Sequence, residues 1–593
     1  MPSQPVRIAN FSGYFGDQYS ALDDVLAGDP VDVLIGDYLA EITLALLAAR
    51  HQRRPGSGYV TYAVEQLRPH LATIAERGLK VVTNAGGFDP GAMADALRAA
   101  AAEAGVTLRV AHIEGDNILD ELPRLEQEGH RFDHLDTGAP LSAWGARPVA
   151  ANAYLGGWGI AAALEQQADI VVTGRVSDAS LVLGPAAWWH GWDRSDWDRL
   201  AGGVAAGHVI ECGPHATGGN FSGFTELQGM TRLSFPIAEI AEDGSSVITK
   251  HAGTGGAVTT DTVTAQLVYE IQGPRYLNPD VTVLIDSIQL TQEGPDRVRM
   301  SGIQGAPPPP SAKVALFAPI GFHTVAMAFV TAPNVEEKVA LLRAQIAEWL
   351  PAGIDTWEVT PLGRPRENPA SQWEATVPVR IMVTARDRAD LEKLDLGAQL
   401  GSLYLRSVPG FFMDTLSPLP SGSSPRIDYW PGLLPSELVP HRAILEDGTT
   451  IDVAPVPGSA DVLGQPEALE SASPLEDEPT REVELGVLVN ARSGDKGGNS
   501  NVGLWVADAA AYDWFRQWLS ADRFRALMPE AADLELVRHE LPHLRAVHVV
   551  IRGLLGSGGS SNLRVDQVGK AVGEYLRARR VEVPIRLLDR DPR

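Results

Sequence analysis

The densest run of reactive side chains is His208-Val209-Ile210-Glu211-Cys212-Gly213-Pro214-His215, which holds the chain's single thiol. Two imidazoles, a carboxylate and a cysteine so close together admit several chemistries. They could hold zinc, supply a cysteine nucleophile with a histidine base, or act as polar groups around a substrate without metal. They could also be core, since a free cysteine is among the most buried residue types. Gly213-Pro214 breaks any helix that would bring the ligands to one face, and structural zinc sites want several cysteines, so no metal is assigned. Asp178, His208, Glu211 and Cys212 are the catalytic candidates, because proton transfer and nucleophilic attack need such groups within hydrogen-bond reach of a substrate.

A second set of polar residues sits on glycine-rich or acidic loops. Asp17, Asp37 with Glu41, Asn84 with Gly86 and Gly87, Asp116, Arg175 and Asp178 each follow a short β-branched run. Thr217-Gly218-Gly219-Asn220 and Gly253-Thr254-Gly255-Gly256 expose backbone N–H groups without Cβ obstruction, and such loops can cradle a phosphate or carboxylate. Lys250-His251 directly before the second loop adds positive charge. Farther on, Arg492-Ser493-Gly494-Asp495-Lys496-Gly497-Gly498 brackets an acid between two cations. Asp17, Asp37, Asn84, Gly86, Gly87, Arg175, Thr217, Gly218, Gly219, Lys250, Thr254, Gly255, Gly256, Arg492, Asp495 and Lys496 are therefore the ligand-binding candidates. For each glycine loop the competing reading is a tight turn, and for the 492–496 loop it is a surface ion pair of little energy.

These residues need elements to position them. Over residues 1–185 a strand-like run, a loop and a helical pattern repeat: 6–8, 31–35, 80–83, 108–113 and 170–173 are the runs. Strands alternating with helices predict an α/β domain with a mainly parallel sheet. Loops at the carboxyl ends of such strands share one edge, where ligands bind, so all five loops should face one crevice. An acidic crevice must then offset its own repulsion with cations or a metal. Gly157-Trp158-Gly159-Ile160-Ala161-Ala162 matches a dinucleotide fingerprint, but no clear strand precedes it, and close helix packing is the better reading.

Residues 186–458 read as an α+β domain. It opens on Trp188, Trp189, Trp192 and Trp197 as core or interface. It continues with 281–290 and 297–300 as an antiparallel pair, and with two strand–helix units at 314–350 and 377–403. Residues 459–484 hold eight acids against Arg481 and predict a solvated tether. Residues 485–593 read as a small α+β domain with strands at 484–489 and 548–552 and helices at 510–519 and 565–577.

Composition excludes whole classes. With 49 basic and 75 acidic residues the net charge is −26, which disfavours binding to nucleic acid or anionic lipid. One cysteine cannot make an internal disulfide. No signal-peptide pattern and no apolar run near the ~20 residues of a membrane span is visible, so a cytoplasmic location without a membrane partner is expected. Base rates favour a homo-oligomer.

The ordered motifs Gly36-Asp37-Tyr38-Leu39-Ala40-Glu41, Thr83-Asn84-Ala85-Gly86-Gly87, Thr173-Gly174-Arg175-Val176-Ser177-Asp178, Gly207-His208, Glu211-Cys212-Gly213 and Gly253 to Gly256 resemble the acyclic terpene utilization (AtuA) family over about residues 5–455. Arg492 to Gly497 is similar to the small AtuA-like domain fused behind it. The resemblance implies a place in the degradation of acyclic isoprenoids and branched acids as coenzyme A thioesters, and it supplies no reaction. The expectation is an enzyme of branched acyl-CoA or carboxylic acid catabolism, a hydratase or lyase using Asp, His and Glu, with a coenzyme A thioester as substrate and no firm cofactor. Two alternatives stand beside it: a non-catalytic binding or assembly subunit of a carboxylase-type complex, and a metal-dependent hydrolase or aldolase using His208, Glu211, Cys212 and His215.

Overall fold

The computed structural model describes residues 4–414, 422–458, 462–467 and 478–588. Its largest element is a sheet built around five parallel strands: β1 (Val6–Ser12), β2 (Val33–Gly36), β3 (Lys80–Thr83), β4 (Val110–Glu114) and β6 (Ile170–Val172), in the order β1-β2-β3-β6-β4. β5 (Ala150–Ala153) lies outside this sheet and pairs with the start of the long strand Ser311–Thr331. Ile8, Val33, Leu34, Ile35, Val81, Val82 and Ile170 to Val172 are fully buried. Such unbroken apolar runs suit parallel strands covered on both faces.

The sheet is mixed, not mainly parallel. Beyond β1 lie β7 (Ile237–Ile240), β8 (Ser246–Thr249) and the strands Arg297–Ser301 and Gln289–Gly294, all antiparallel. Beyond β4 lie Arg442–Ile444 and Thr450–Asp452, also antiparallel. These ribbons come from the region expected to form a separate domain, so the expected boundary at residue 185 falls inside one core. The expected pair 281–290 with 297–300 is shifted: residues 289–294 face 297–301, whereas 282–284 pair with 275–277 and 304–306.

The chain forms two compact units, Met1–Phe317 with Tyr429–Arg593, and Ala318–Asp428. In the smaller unit, Thr376–Ala385 runs between Ile354–Pro361 and residues 322–331, and helices Val335–Ala347, Arg388–Leu394 and Leu396–Gly401 contribute Leu342, Ile346, Leu391 and Leu400 to its core. The chain leaves the larger unit along Ser311–Thr331 and returns along Ser424–Pro435, so the two units meet at 317 and 429 and not at 185.

The C-terminal region has a four-stranded antiparallel sheet in the order 489–496, 499–506, 546–551, 536–541. Helix Ala509–Trp518 packs Tyr512, Trp514, Phe515 and Trp518 into its core, and Asp508 caps it by accepting the N–H groups of Ala510 and Ala511. The expected helix 565–577 is confined to Val572–Arg577. The expected tether is partly structured: Thr480–Glu484 pairs with Arg580–Pro584, and Gln465 accepts the N–H of Arg275. Residues 459–461 and 468–477 of that segment lie outside the described residues. Among the described residues no helix is long and apolar enough to cross a membrane.

Candidate functional site

Helix Trp197–Ile210 positions the chemically dense segment. Its residues from Leu200 to Ile210 are all buried, and most are Ala, Gly or Val, so neighbouring backbone can approach closely. At its end the carbonyl of Glu211 accepts Asn10 Nδ2 at 2.9 Å, which ties 211–215 to the carboxyl end of β1. Gly13 lies against the same turn, where a Cβ would sit 2.5 Å from the Cys212 carbonyl carbon.

A cleft of about 640 Å³ opens at this edge of the sheet, a size suited to a small-molecule ligand. Asp17, Asp37, Glu41, Asp178, Glu211, Glu270 and Asp495 bring carboxyls to its lining, and Arg175, Lys313, Lys496 and Lys570 bring cations. The five strand-to-helix loops divide in role. Those after β1, β2 and β6 line the cleft directly. The loops after β3 and β4 buttress it from behind: Asn84 Nδ2 donates to Asp37 Oδ1 at 2.6 Å, and Asp116 accepts the Arg175 N–H and Asn152 Nδ2, each at 2.8 Å.

Arg175 is the central cation and is only 2% exposed. Its guanidinium donates to Asp178 Oδ1 at 2.7 Å and to the Leu39 carbonyl, and it stacks 4.2 Å over the Tyr154 ring. Tyr154 in turn donates to Glu41 Oε1 at 3.1 Å, and Lys313 approaches the same oxygen at 3.7 Å. Burial works against ionisation of Glu41, but Lys313, Arg175 and Lys496 together bring its carboxyl down to about 2.

Other carboxyls go the opposite way. Burial, with Asp178 and Glu211 nearby, pushes Asp37 well up, and burial with Asp178 does the same to Glu211. Glu270 rises to about 7 through burial and the nearby Glu41, and Asp495 to about 8 through burial and Glu270. Burial and the surrounding carboxylates also raise the Cys212 thiol, so the cysteine is a neutral wall residue and not a thiolate nucleophile at neutral pH.

The C-terminal region closes the cleft within the same chain through Asp495, Lys496, Gly497, Gly559, Ser560, Val568 and Lys570. Arg492 does not line it directly. It donates to His215 Nδ1 at 3.0 Å and lies 4.2 Å over the Tyr269 ring, and Asn220 holds the other nitrogen of His215 at 2.7 Å. Lys570 bonds the Tyr269 hydroxyl and Glu270 Oε1, the latter at 3.1 Å.

Several sequence candidates lie elsewhere. His208 does not line the cleft; it lies beside the Tyr276 ring at 4.9 Å, with Nδ1 3.4 Å from Glu211 Oε1. Burial, aided by Lys496, lowers it to about 4, so it is neutral and backs Glu211 from behind. Gly86 and Gly87 are pressed against the Thr173 and Gly58 carbonyls. Thr217 Oγ1 donates to the Ser234 carbonyl at 2.6 Å, Gly218 packs on Leu227, and Gly219 donates its N–H to the Pro214 carbonyl at 2.9 Å. Gly255 and Gly256 pack on the Arg232 and Thr217 carbonyls, where a Cβ would come within 2.2 Å. Lys250 donates to the Thr254 carbonyl at 2.8 Å and pairs with Asp296 at 3.1 Å. Both Thr-Gly-Gly loops are thus close-packed turns whose backbone is already committed. Gly157 starts a helix by donating to Asp280, and Gly159 abuts His441, which is the close-packing reading of that motif.

Among the described residues no three His, Cys, Asp or Glu side chains are grouped so as to hold a metal ion. Glu41, expected in the loop after β2, lines the cleft, and the lining residues missed at the sequence level are Tyr154, Tyr269, Glu270, Lys313, Tyr429 and Lys570. These sit in no local motif. Glu270 had one structural signal, a left-handed backbone at φ 52° just past a helix, which a sequence does not display.

No curated protein and no solved structure matches this chain. Two family models do. The AtuA ferredoxin-like domain matches residues 483–582, the region that supplies the Asp495-Lys496 wall. The acyclic terpene utilisation family protein AtuA matches residues 6–445, most of the chain, which carries the sheet and its carboxyl-edge loops. The chain belongs to the acyclic terpene utilisation family, with the family's ferredoxin-like domain behind it.

Proposed function

We infer that the cleft is the active site of an acid–base enzyme acting next to the carbonyl of a branched or isoprenoid acyl-CoA or carboxylic acid, by addition or elimination. One observation carries the reading: neighbouring carboxyls are driven apart in proton affinity. Asp37 and Glu211 are held toward the protonated form, while Lys313, Arg175 and Lys496 hold Glu41 ionised. Carboxyls whose environments separate them in this way provide an acid and a base in one pocket. In this reading Asp37 or Glu211 gives a proton, and Asp178, beside Arg175, receives one. The family's description, concerned with acyclic terpene utilisation, supports a branched substrate.

The test is to incubate the full chain with isovaleryl-, 3-methylcrotonyl- and geranyl-coenzyme A, and with the corresponding free acids, in D2O and follow mass by spectrometry. A shift from water addition, cleavage or deuterium uptake is expected, reduced about 100-fold or more in Asp37→Asn. Folded protein that changes none of the thioesters or free acids, and incorporates no deuterium, overturns the reading and favours a non-catalytic binding subunit.

A further inference from the structure

The cations of the cleft are not equivalent. Arg175 is paired with Asp178 at 2.7 Å, Lys313 approaches Glu41 at 3.7 Å, and Lys570 meets Glu270 at 3.1 Å. Lys496 lines the same cleft, and among the described residues it has no carboxylate at ion-pair distance and no hydrogen-bond acceptor; its nearest ring contact is Tyr276, 5.9 Å from Nζ to centroid. Glu41, Glu211, Glu270 and Asp495 all feel its charge.

Its placement is rigid. Lys496 pairs with Asn499 across a two-residue hairpin turn in which Gly497 takes φ 64°. Asn499 Nδ2 donates to Asp136 at 2.7 Å, Asn499 Oδ1 accepts the Gly553 N–H at 2.9 Å, and Gly498 abuts the Gly556 carbonyl. A fixed base under an unpartnered ammonium is a preorganised anion receptor.

We propose that Lys496, delivered by the C-terminal ferredoxin-like domain, is the anchoring cation for a carboxylate carried by the substrate. This rests on the cleft being the substrate site and adds the substrate class, an acid bearing a free carboxylate. One ammonium balances a monoanion. A phosphate dianion at the same place would face the ionised Glu41 without a second unpaired cation. Glu211 and Asp495, which feel the Lys496 charge, are held toward their neutral forms, so they do not repel a monoanion there and can donate hydrogen bonds to it.

The experiment measures binding to the full chain by calorimetry or ligand-observed NMR, with isovalerate, its neutral isostere isovaleramide, and inorganic phosphate. Isovalerate should bind about tenfold or more tighter than the amide. Lys496→Met should erase that preference and Lys496→Arg retain it, with thermal melting confirming that both variants fold. Equal binding of acid and amide, preference surviving in Lys496→Met, preference lost equally in Lys496→Arg, or binding by none of the probes each overturns the proposal. Lys496-dependent binding of phosphate alone overturns the carboxylate in favour of a phosphate group. Binding as expected without turnover of any acid or thioester would sink the acid–base reading and leave this one standing; turnover of the free acids unaffected in kcat and KM by Lys496→Met would sink only this one.

Discussion

Asn84 binds Asp37 from behind: its Nδ2 donates to Asp37 Oδ1 at 2.6 Å while its Oδ1 accepts the Tyr38 N–H at 2.7 Å. One side chain thus fixes both the carboxyl and the backbone that carries it. Asn84→Ala leaves a buried N–H without a partner and should cost about 1–3 kcal/mol, read as a lowered urea midpoint at unchanged slope. Asn84→Asp is isosteric but sets a second carboxyl against Asp37, so it should lose more activity than the alanine variant at neutral pH.

Arg175 gathers more of the site than any other residue. Removing its charge as Arg175→Met strands Asp178 and weakens the compensation of Glu41, and should destabilise by about 3 kcal/mol. Arg175→Lys should not rescue turnover, because an ammonium cannot reach Asp178 and the Leu39 carbonyl together while stacking on Tyr154. Urea titrations of both variants, alongside thioester turnover, give the check.

The raised carboxyls set a pH dependence of defined sign. Glu270 moves from 4.5 to about 7 and Asp495 from 3.8 to about 8 on folding. Between those limits the folded chain holds more protons than the unfolded one, so stability from these groups falls as pH rises. Their contribution is full below about pH 4 and is lost through pH 7 to 8. Glu270→Gln should flatten the decline of the urea midpoint between pH 5 and 8 relative to wild type; an identical slope would refute the assignment.

The ferredoxin-like domain seats tightly on the helix Thr260–Leu267 and the residues that follow it. Trp505 Nε1 donates to Asp261 at 2.9 Å, Asn501 Nδ2 donates to the Val268 carbonyl at 3.0 Å, and a Cβ on Gly503 would sit 2.2 Å from Val268. Gly503→Ala should therefore cost about 1–3 kcal/mol and loosen the Lys496 wall. Raised hydrogen exchange at 494–498 and weaker ligand binding would show it, and unchanged exchange there would count against this seating.

What was legible in the sequence was local. Five strand–loop–helix units, and the polar residues Asp17, Asp37, Arg175, Asp178, Glu211, Cys212, Asp495 and Lys496 on their own short motifs, could be read because each signal fits within a few neighbouring residues. The antiparallel flanks of the sheet could not, since 237–249, 289–301 and 442–452 reach it only through tertiary pairing. Glycine density misled at Thr217–Gly219 and Gly253–Gly256, where absence of a Cβ serves backbone-to-backbone packing. His208 misled because its helix face is fixed by the packing of Gly202 and Gly207, not by its own chemistry. Lys313, Tyr429 and Lys570 are brought to the cleft by strand crossings and domain seating that leave no local trace.

The wall of the cleft begins at Gly13 and ends at Lys570. A ribosome adding roughly 5–20 residues per second completes the parallel strands well before the last wall residues emerge. The nascent chain therefore carries the acids Asp37, Asp178 and Glu211 for tens of seconds without Lys496 or Lys570 beside them. The full lining forms only once Lys570 has been made, and a chain cut before Lys496 would hold these acids without either of those two lysines.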